Sequence, residues 1–181
     1  MIKLGTLDLE PAVEHLDMVA APVADALQRL PEASEVYVAE IDGAMSDTAA
    51  FCATYEVVPA QAANCVIIEA KRGEVRQFVA CVVLATTRAD VNGVVRKVVD
   101  ARKASFAPME TAVALSGMEF GAITPIGLPD DWVVLVDAAV VAADAVIIGS
   151  GVRNSKLALP GKVLAALPHA QVVADLARLP Q

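Results

Sequence analysis

Between Pro11 and Leu30 apolar residues return at helical spacing: Val13, Leu16, Val19, Val23, Ala26, Leu27 and Leu30 share one face of a 3.6-residue repeat. The pattern predicts an opening helix, bent or split at Pro22, which lacks a backbone donor. From Glu35 to Ile41 the period shortens to two, the alternation of a half-buried strand. Ser46-Asp47-Thr48 supplies capping side chains for a short helix over Ala49 to Tyr55, and Pro59 closes that unit. Cys65 to Ala70 and Arg76 to Leu84 are nearly continuous apolar runs on either side of the turn Lys71-Arg72-Gly73-Glu74. Such runs predict a hairpin covered, at least in part, on both faces.

Asp90 caps a helix expected over Val91 to Asp100. Pro108 opens another, ending near Leu115, with Glu110 in its first turn. Residues 117–130 break every period, with three glycines and two prolines that make a shaped loop. Beyond it the expected elements are a strand over Trp132 to Val136, a helix over Asp137 to Ala143 and a strand over Ala145 to Ile148 that runs into Gly149-Ser150-Gly151. A short strand at Leu157 to Leu159, a helix over Pro160 to Leu167 and a last strand at Gln171 to Ala174 complete the chain. Roughly seven strands and six helices in mixed order, with a hairpin interrupting βαβ alternation, predict an α+β fold with a curved mixed sheet.

Composition fits that picture. A chain of 181 residues suits one domain, 1–181, with a helical segment 1–34 preceding the main unit 35–181. Hydrophobic residues reach 56%, mostly Ala and Val rather than aromatics, which suits a sheet packed tightly on helices. No apolar stretch approaches the length of a membrane span, and Met1 to Gly5 has no signal-peptide core. A cytoplasmic location is expected. Cys52, Cys65 and Cys81 show no CxxC spacing, and His15 and His169 lie near none of them. The cysteines therefore read as small core residues, not as a disulfide framework or a metal site. The net charge of −8 is uneven: residues 1–70 carry two bases against twelve acids, the remainder twelve bases against ten acids. Bulk electrostatics will not hold nucleic acid, so any RNA contact must be local.

Three constellations carry candidate chemistry. In the loop Gly121-Ala122-Ile123-Thr124-Pro125, bracketed by Gly117 and Gly127, glycine admits close backbone approach and proline fixes the path. It can aim backbone N–H and C=O groups at a bound ester, or be a plain surface loop. Gly149-Ser150-Gly151, with Arg153 and Lys156 after it, can form an anion nest or a tight turn; it fits neither GxxxxGK[ST] nor GxGxxG. Arg88, Arg96, Lys97, Arg102 and Lys103 flank the helix at 90–99 and either meet phosphates or form an ordinary charged surface. With only Phe78, Phe106 and Phe120 nearby, a base-stacking platform is not indicated. No GxSxG, Cys-His pair or HExxH is present, so hydrolysis here would rest on positioning and backbone dipoles.

Ser116 to Gly127 resembles the TGxxxGGxSPxG signature of the YbaK/prolyl-tRNA editing-domain family, with Gly121 to Pro125 on its GxxxP loop. Val146 to Gly151 resembles the glycine-rich strand end that follows. Asp47 to Phe51, the strand at 65–69 and Val134 to Asp137 resemble the remaining landmarks, in order, over residues 35–175. The resemblance implies a barrel-like mixed sheet surrounded by helices. It implies hydrolysis of mischarged aminoacyl-tRNA, without metal or organic cofactor. The implied partners are the tRNA acceptor end and an aminoacyl-tRNA synthetase, the protein being a monomer or homodimer. By the same resemblance Gly121, Ala122, Ile123, Thr124 and Pro125 position ester and water. Gly127, Gly149, Ser150 and Gly151 admit the terminal adenosine or aminoacyl group, and Asn64 and Lys156 contact the acceptor end. One departure stands out: the family carries a lysine where this chain has Asn64. Losing a charge-assisted contact costs about 1.5–3 kcal/mol, and Lys71, Lys103 or Lys156 would have to replace it, Lys156 being the best placed. The alternative is a catalytically altered binding module on the same fold, for an aminoacyl end, a nucleotide or an amino-acid derivative.

Overall fold

A computed structural model describes residues 3–180; the start at Met1 to Gly5, read above as lacking a signal peptide, lies partly outside them. Along the chain, the strands Glu10–Pro11 (β1) and Tyr37–Glu40 (β2) precede a hairpin of Ala63–Arg72 (β3) and Val75–Leu84 (β4). Arg88–Ala89 (β5), Lys103–Phe106 (β6), Val133–Asp137 (β7) and Val146–Gly149 (β8) follow. Ser155–Leu159 (β9), Ala170–Val173 (β10) and Ala177–Arg178 (β11) end the series. The α-helices are Ala21–Leu27 (α1), Thr48–Thr54 (α2), Arg96–Val98 (α3), Met109–Ser116 (α4), Ala138–Val141 (α5) and Gly161–Ala165 (α6).

The hairpin organises the larger sheet, whose order is β10-β7-β4-β3-β6. Its pairs are antiparallel around β3 and parallel from β4 through β7 to β10. A second, antiparallel sheet runs β1-β2-β9-β8, and β5 pairs with β11. The two larger sheets meet where Ala62 bridges Ile147, which sets β8 beside the start of β3. Between them lies the main core. Ala80, Val82, Val134 and Val136 from one sheet meet Val38, Leu157 and Leu159 from the other, closed by Val23, Leu27, Val36 and Trp132. A second core covers the opposite face of the hairpin, where Ile68, Ala70, Val79, Cys81 and Val83 pack on Val91, Val95 and Leu176. Burial on both faces explains the unbroken apolar runs of β3 and β4, and the α+β class with mixed sheets stands as expected. Among the described residues no helix is long and apolar enough to cross a membrane.

Three stretches differ from the sequence pattern. Residues 12–18 form two 3₁₀ turns rather than helix. Their neighbourhood is drawn into tertiary backbone bonds: Ala12 N donates to Val36 O at 2.9 Å and Ala20 N to Ser150 O at 3.1 Å. Pro22 does not split a helix but starts α1, where its missing donor costs nothing. The helix expected over 91–100 opens as a π turn, Val91–Val95, whose Gly93 N donates to Asp90 Oδ1 at 3.0 Å. Strand β6, absent from the sequence reading, pairs Lys103 to Phe106 with β3 as an exposed edge.

Candidate active site

A cleft of about 470 Å³ opens where the two sheets meet. Its walls are the N-terminus of α2, the first half of β3, the β6–α4 corner, the loop after α4 and the ends of β8 and β9. Asp47 caps α2 by accepting from Ala49 N at 3.1 Å, which sets Ser46, Thr48 and Phe51 into the wall. Thr48 Oγ1 donates to Asn64 Oδ1 at 2.9 Å and so orients that side-chain amide.

Lys156 lies on β9 opposite Gly149 of β8. Its side chain borders the cleft although the residue is only 9% exposed. The ammonium donates to Ser46 O at 3.1 Å and sits 5.3 Å from the centre of the Phe51 ring. Burial holds its pKa below the ordinary lysine value and Arg153 adds to that; Cys52 and Asp47 act the other way. Arg153 braces the site. Its Nη1 donates to Phe120 O at 3.1 Å and its Nη2 to Gly43 O at 3.3 Å, while its backbone N donates to Glu119 Oε2 at 2.6 Å.

The loop after α4 is seated on the end of β8 by backbone contacts. Gly151 N donates to Ala122 O and Glu119 N to Gly151 O, each at 2.8 Å. A Cβ on Gly149 would stand 2.5 Å from Ala122 O and 3.1 Å from Ile123 O, so only glycine admits this approach. Gly121 adopts φ +77°, a left-handed conformation that other residues enter only with strain.

The residues singled out by sequence divide in two. Gly121, Ile123, Asn64, Gly149 and Lys156 border the cleft together. Ala122 lies beneath it, and Thr124 is fully buried with its N–H toward Met118 Sδ at 3.4 Å. Pro125 and Gly127 face a separate pocket of about 210 Å³ beside Leu30, Leu128 and His169. Ser150 is buried, with Val152 O and Ser155 O both 3.0 Å from its hydroxyl, and Gly151 packs against Ala20. The cations Arg88, Arg96, Lys97, Arg102 and Lys103 are not among the residues that border the cleft. Ser46, Asp47, Thr48, Phe51, Phe106, Met109 and Phe120 do border it and were not picked out as site residues. The signal for the first three was the Ser-Asp-Thr start of α2, with Asp47 as N-cap, which reads in sequence as a helix boundary.

A family model described as aminoacyl-tRNA editing domain matches residues 42–167, more than half of the chain. The chain belongs to that family. A search of curated protein sequences finds no match. Among solved structures, the hypothetical protein APE2540 is 19% identical with a TM-score of 0.75, covering 87% of this chain and 99% of its own. A candidate trans-editing enzyme for prolyl tRNA synthetase is 18% identical with a TM-score of 0.72, covering 92% and 98%. A candidate signal transduction protein from Marinobacter aquaeolei VT8 is 16% identical with a TM-score of 0.55, covering 86% of this chain but 30% of its own. At these identities the structural likenesses speak for the fold.

The site of this editing-domain chain offers donors and backbone edges rather than an activated nucleophile. Cys65 borders the cleft, but burial and the neighbouring Cys81 push its thiol well above the ordinary value. Cys81 is pushed up to about 12 by burial. In both, the raised pKa favours the thiol over the nucleophilic thiolate.

Proposed function

We propose that this chain is an aminoacyl-tRNA deacylase acting in trans in the cytoplasm, on the acceptor end of mischarged tRNA. The observation that carries the reading is the shared cleft: the Lys156 side chain beside the glycine backbone of its cross-strand partner Gly149, with Gly121 of the loop after α4 bordering the same space. A charging site rejects a smaller or isosteric amino acid weakly, so a second site that hydrolyses misjoined products raises fidelity. Here a water would attack the ester carbonyl, held by backbone groups of the loop around Gly121 to Ile123. The new C–O bond comes from water, the bond to the ribose oxygen breaks, and the water's proton ends on that ribose oxygen. The adjacent ribose hydroxyl orients the water, and the loop's N–H groups stabilise the developing oxyanion. Lys156 supplies the positive charge that Asn64 lacks, toward the terminal ribose or phosphate. Ala122, Thr124 and Pro125 contribute by fixing the loop's shape, and Gly127, Ser150 and Gly151 by seating it.

One observation favours a second reading, a binding module on the same fold: the lysine position holds a neutral Asn64 already engaged by Thr48. The test is incubation with a panel of mischarged tRNAs, with Asn64→Lys alongside. Deacylation by the parent supports the enzyme. An inactive parent made active by Asn64→Lys supports the binding module.

A further inference from the structure

Three large apolar side chains are left exposed at the mouth of the cleft. Phe106 is 66% exposed, Phe120 55% and Met109 53%, and all three border it. The other large aromatics serve packing: Phe51 is buried, and Phe78 stacks on Trp132 with ring centres 5.0 Å apart. Exposed rings have a hydration cost that the fold does not recover, so their clustering at one opening marks a contact surface.

Both rings are carried on fixed backbone. Phe106 ends β6 opposite Ile68, and the next residue's N–H, that of Ala107, donates to Ile67 O at 2.8 Å. Phe120 has its carbonyl held by Arg153 Nη1 at 3.1 Å. Behind the rings the cleft holds two cations, Arg153 and Lys156. Aromatic faces on anchored backbone at the entrance and a small positive charge within match an unpaired nucleotide, which presents a π-face and a phosphate.

We propose that Phe106 and Phe120 form a stacking rim that holds the unpaired 3′-terminal nucleobases of an RNA at the mouth of the cleft. This rests on the deacylase reading and names how that site grips its substrate. It departs from the sequence expectation, in which a stacking platform is not indicated. The fold brings together two rings fourteen residues apart that the sequence leaves unconnected. With a net charge of −8, the chain must draw affinity from stacking more than from phosphate contacts.

The experiment measures binding of an uncharged RNA hairpin with an unpaired 3′ overhang by fluorescence anisotropy, with no hydrolysis required. Phe106→Ala and Phe120→Ala should each weaken Kd roughly five- to 150-fold, while the Trp variants restore it. Removing the terminal base, but keeping its sugar and phosphate, should cause a similar loss. Two cations predict a shallow dependence on salt, a log–log slope of about −1.4 for single-stranded contacts. Thermal melts confirm that these exposed-site variants fold. Unchanged Kd in the Ala variants overturns the inference, as does equal weakening on a blunt duplex. It is also overturned if the rim instead mediates self-association, read as a dimer that Phe106→Ala dissolves in sedimentation. Deacylation without rim-dependent binding would sink the rim and leave the function intact. Rim-dependent binding without deacylation would do the reverse.

Discussion

Lys156→Met asks whether the buried ammonium is kept for function at a cost to stability. Methionine preserves an unbranched side chain and removes the charge. The variant loses the contact to Ser46 O, 3.1 Å in the structure, a charge-assisted bond worth about 1.5–3 kcal/mol. It also loses the Phe51 ring contact, worth about 0.5–2 kcal/mol. Against these stands the burial of a cation that is 9% exposed, with Arg153 repelling it; burying an ion costs several kcal/mol. The lowered pKa of Lys156 decides the sign: its charged form is less favourable in the fold than in water. Ser46 borders the cleft but is only 2% exposed, so its freed carbonyl offsets part of that gain. Lys156→Met should therefore be as stable as the parent at pH 7, or up to about 2 kcal/mol more stable, in urea unfolding. The pH dependence follows from linkage. Because the folded pKa lies below the ordinary value of 10.5, the unfolded chain binds more protons between the two, and parent stability rises with pH there. The variant's advantage is thus full below the folded pKa and fades as pH approaches 10.5. Over the same substitution kcat/KM on mischarged tRNA should fall about tenfold to a hundredfold, the loss of one charge-assisted contact. A variant that loses more than about 2 kcal/mol of stability yet keeps full activity per folded molecule refutes the reasoning.

Gly149→Ala should lower kcat more than it raises KM, because a Cβ 2.5 Å from Ala122 O must push the loop off its seat; the strain adds about 1–3 kcal/mol of instability, read by urea unfolding. Gly127→Ala should show its effect in stability, about 2 kcal/mol or more, since φ is +85° and the new Cβ would overlap the Pro22 carbonyl. An unchanged unfolding midpoint would contradict the geometry at Gly127. Iodoacetamide at pH 8 should leave Cys65 unmodified over a period that labels a free cysteine fully, because its raised pKa leaves almost no thiolate; mass spectrometry of the peptide reads the outcome.

Much of the fold is legible in local pattern. The hairpin of β3 and β4 announces itself by two apolar runs around Gly73, which takes φ +60° at the turn. Helices α2 and α5 begin where Asp47 and Asp137 accept from the N–H two residues on. The failures have a common cause, tertiary bonds that local pattern does not register. Val13, Leu16 and Val19 keep helical spacing, but the chain from Glu10 to Ala20 is held by β2 and by Ser150 instead. Lys103 to Phe106 has too little alternation to read as a strand, and exists because the free edge of β3 accepts it. The candidate site follows the same division. The two glycine motifs lie against each other in the fold, yet Thr124, Pro125, Gly127, Ser150 and Gly151 turn away from the cleft that Gly121 and Gly149 border. A motif records that backbone is tightly constrained, whether by a ligand or by packing on Pro22 and Ala20. Ser46 and Phe106 reach the site from two other elements, α2's start and β6, whose placement beside the loop follows from the tertiary fold and not from local pattern.

The central claim is that this cleft breaks the ester of mischarged tRNA by positioning water with loop backbone. The most direct measurement is the loss of labelled amino acid from a panel of mischarged tRNAs, with parent protein and Gly121→Ala side by side and folding verified by thermal melts. The account predicts that at least one panel member is deacylated well above the uncatalysed rate, and that Gly121→Ala, folded, is strongly impaired on it. No turnover of any member, at protein concentrations where a lysine-bearing relative clears the same tRNAs, would contradict it.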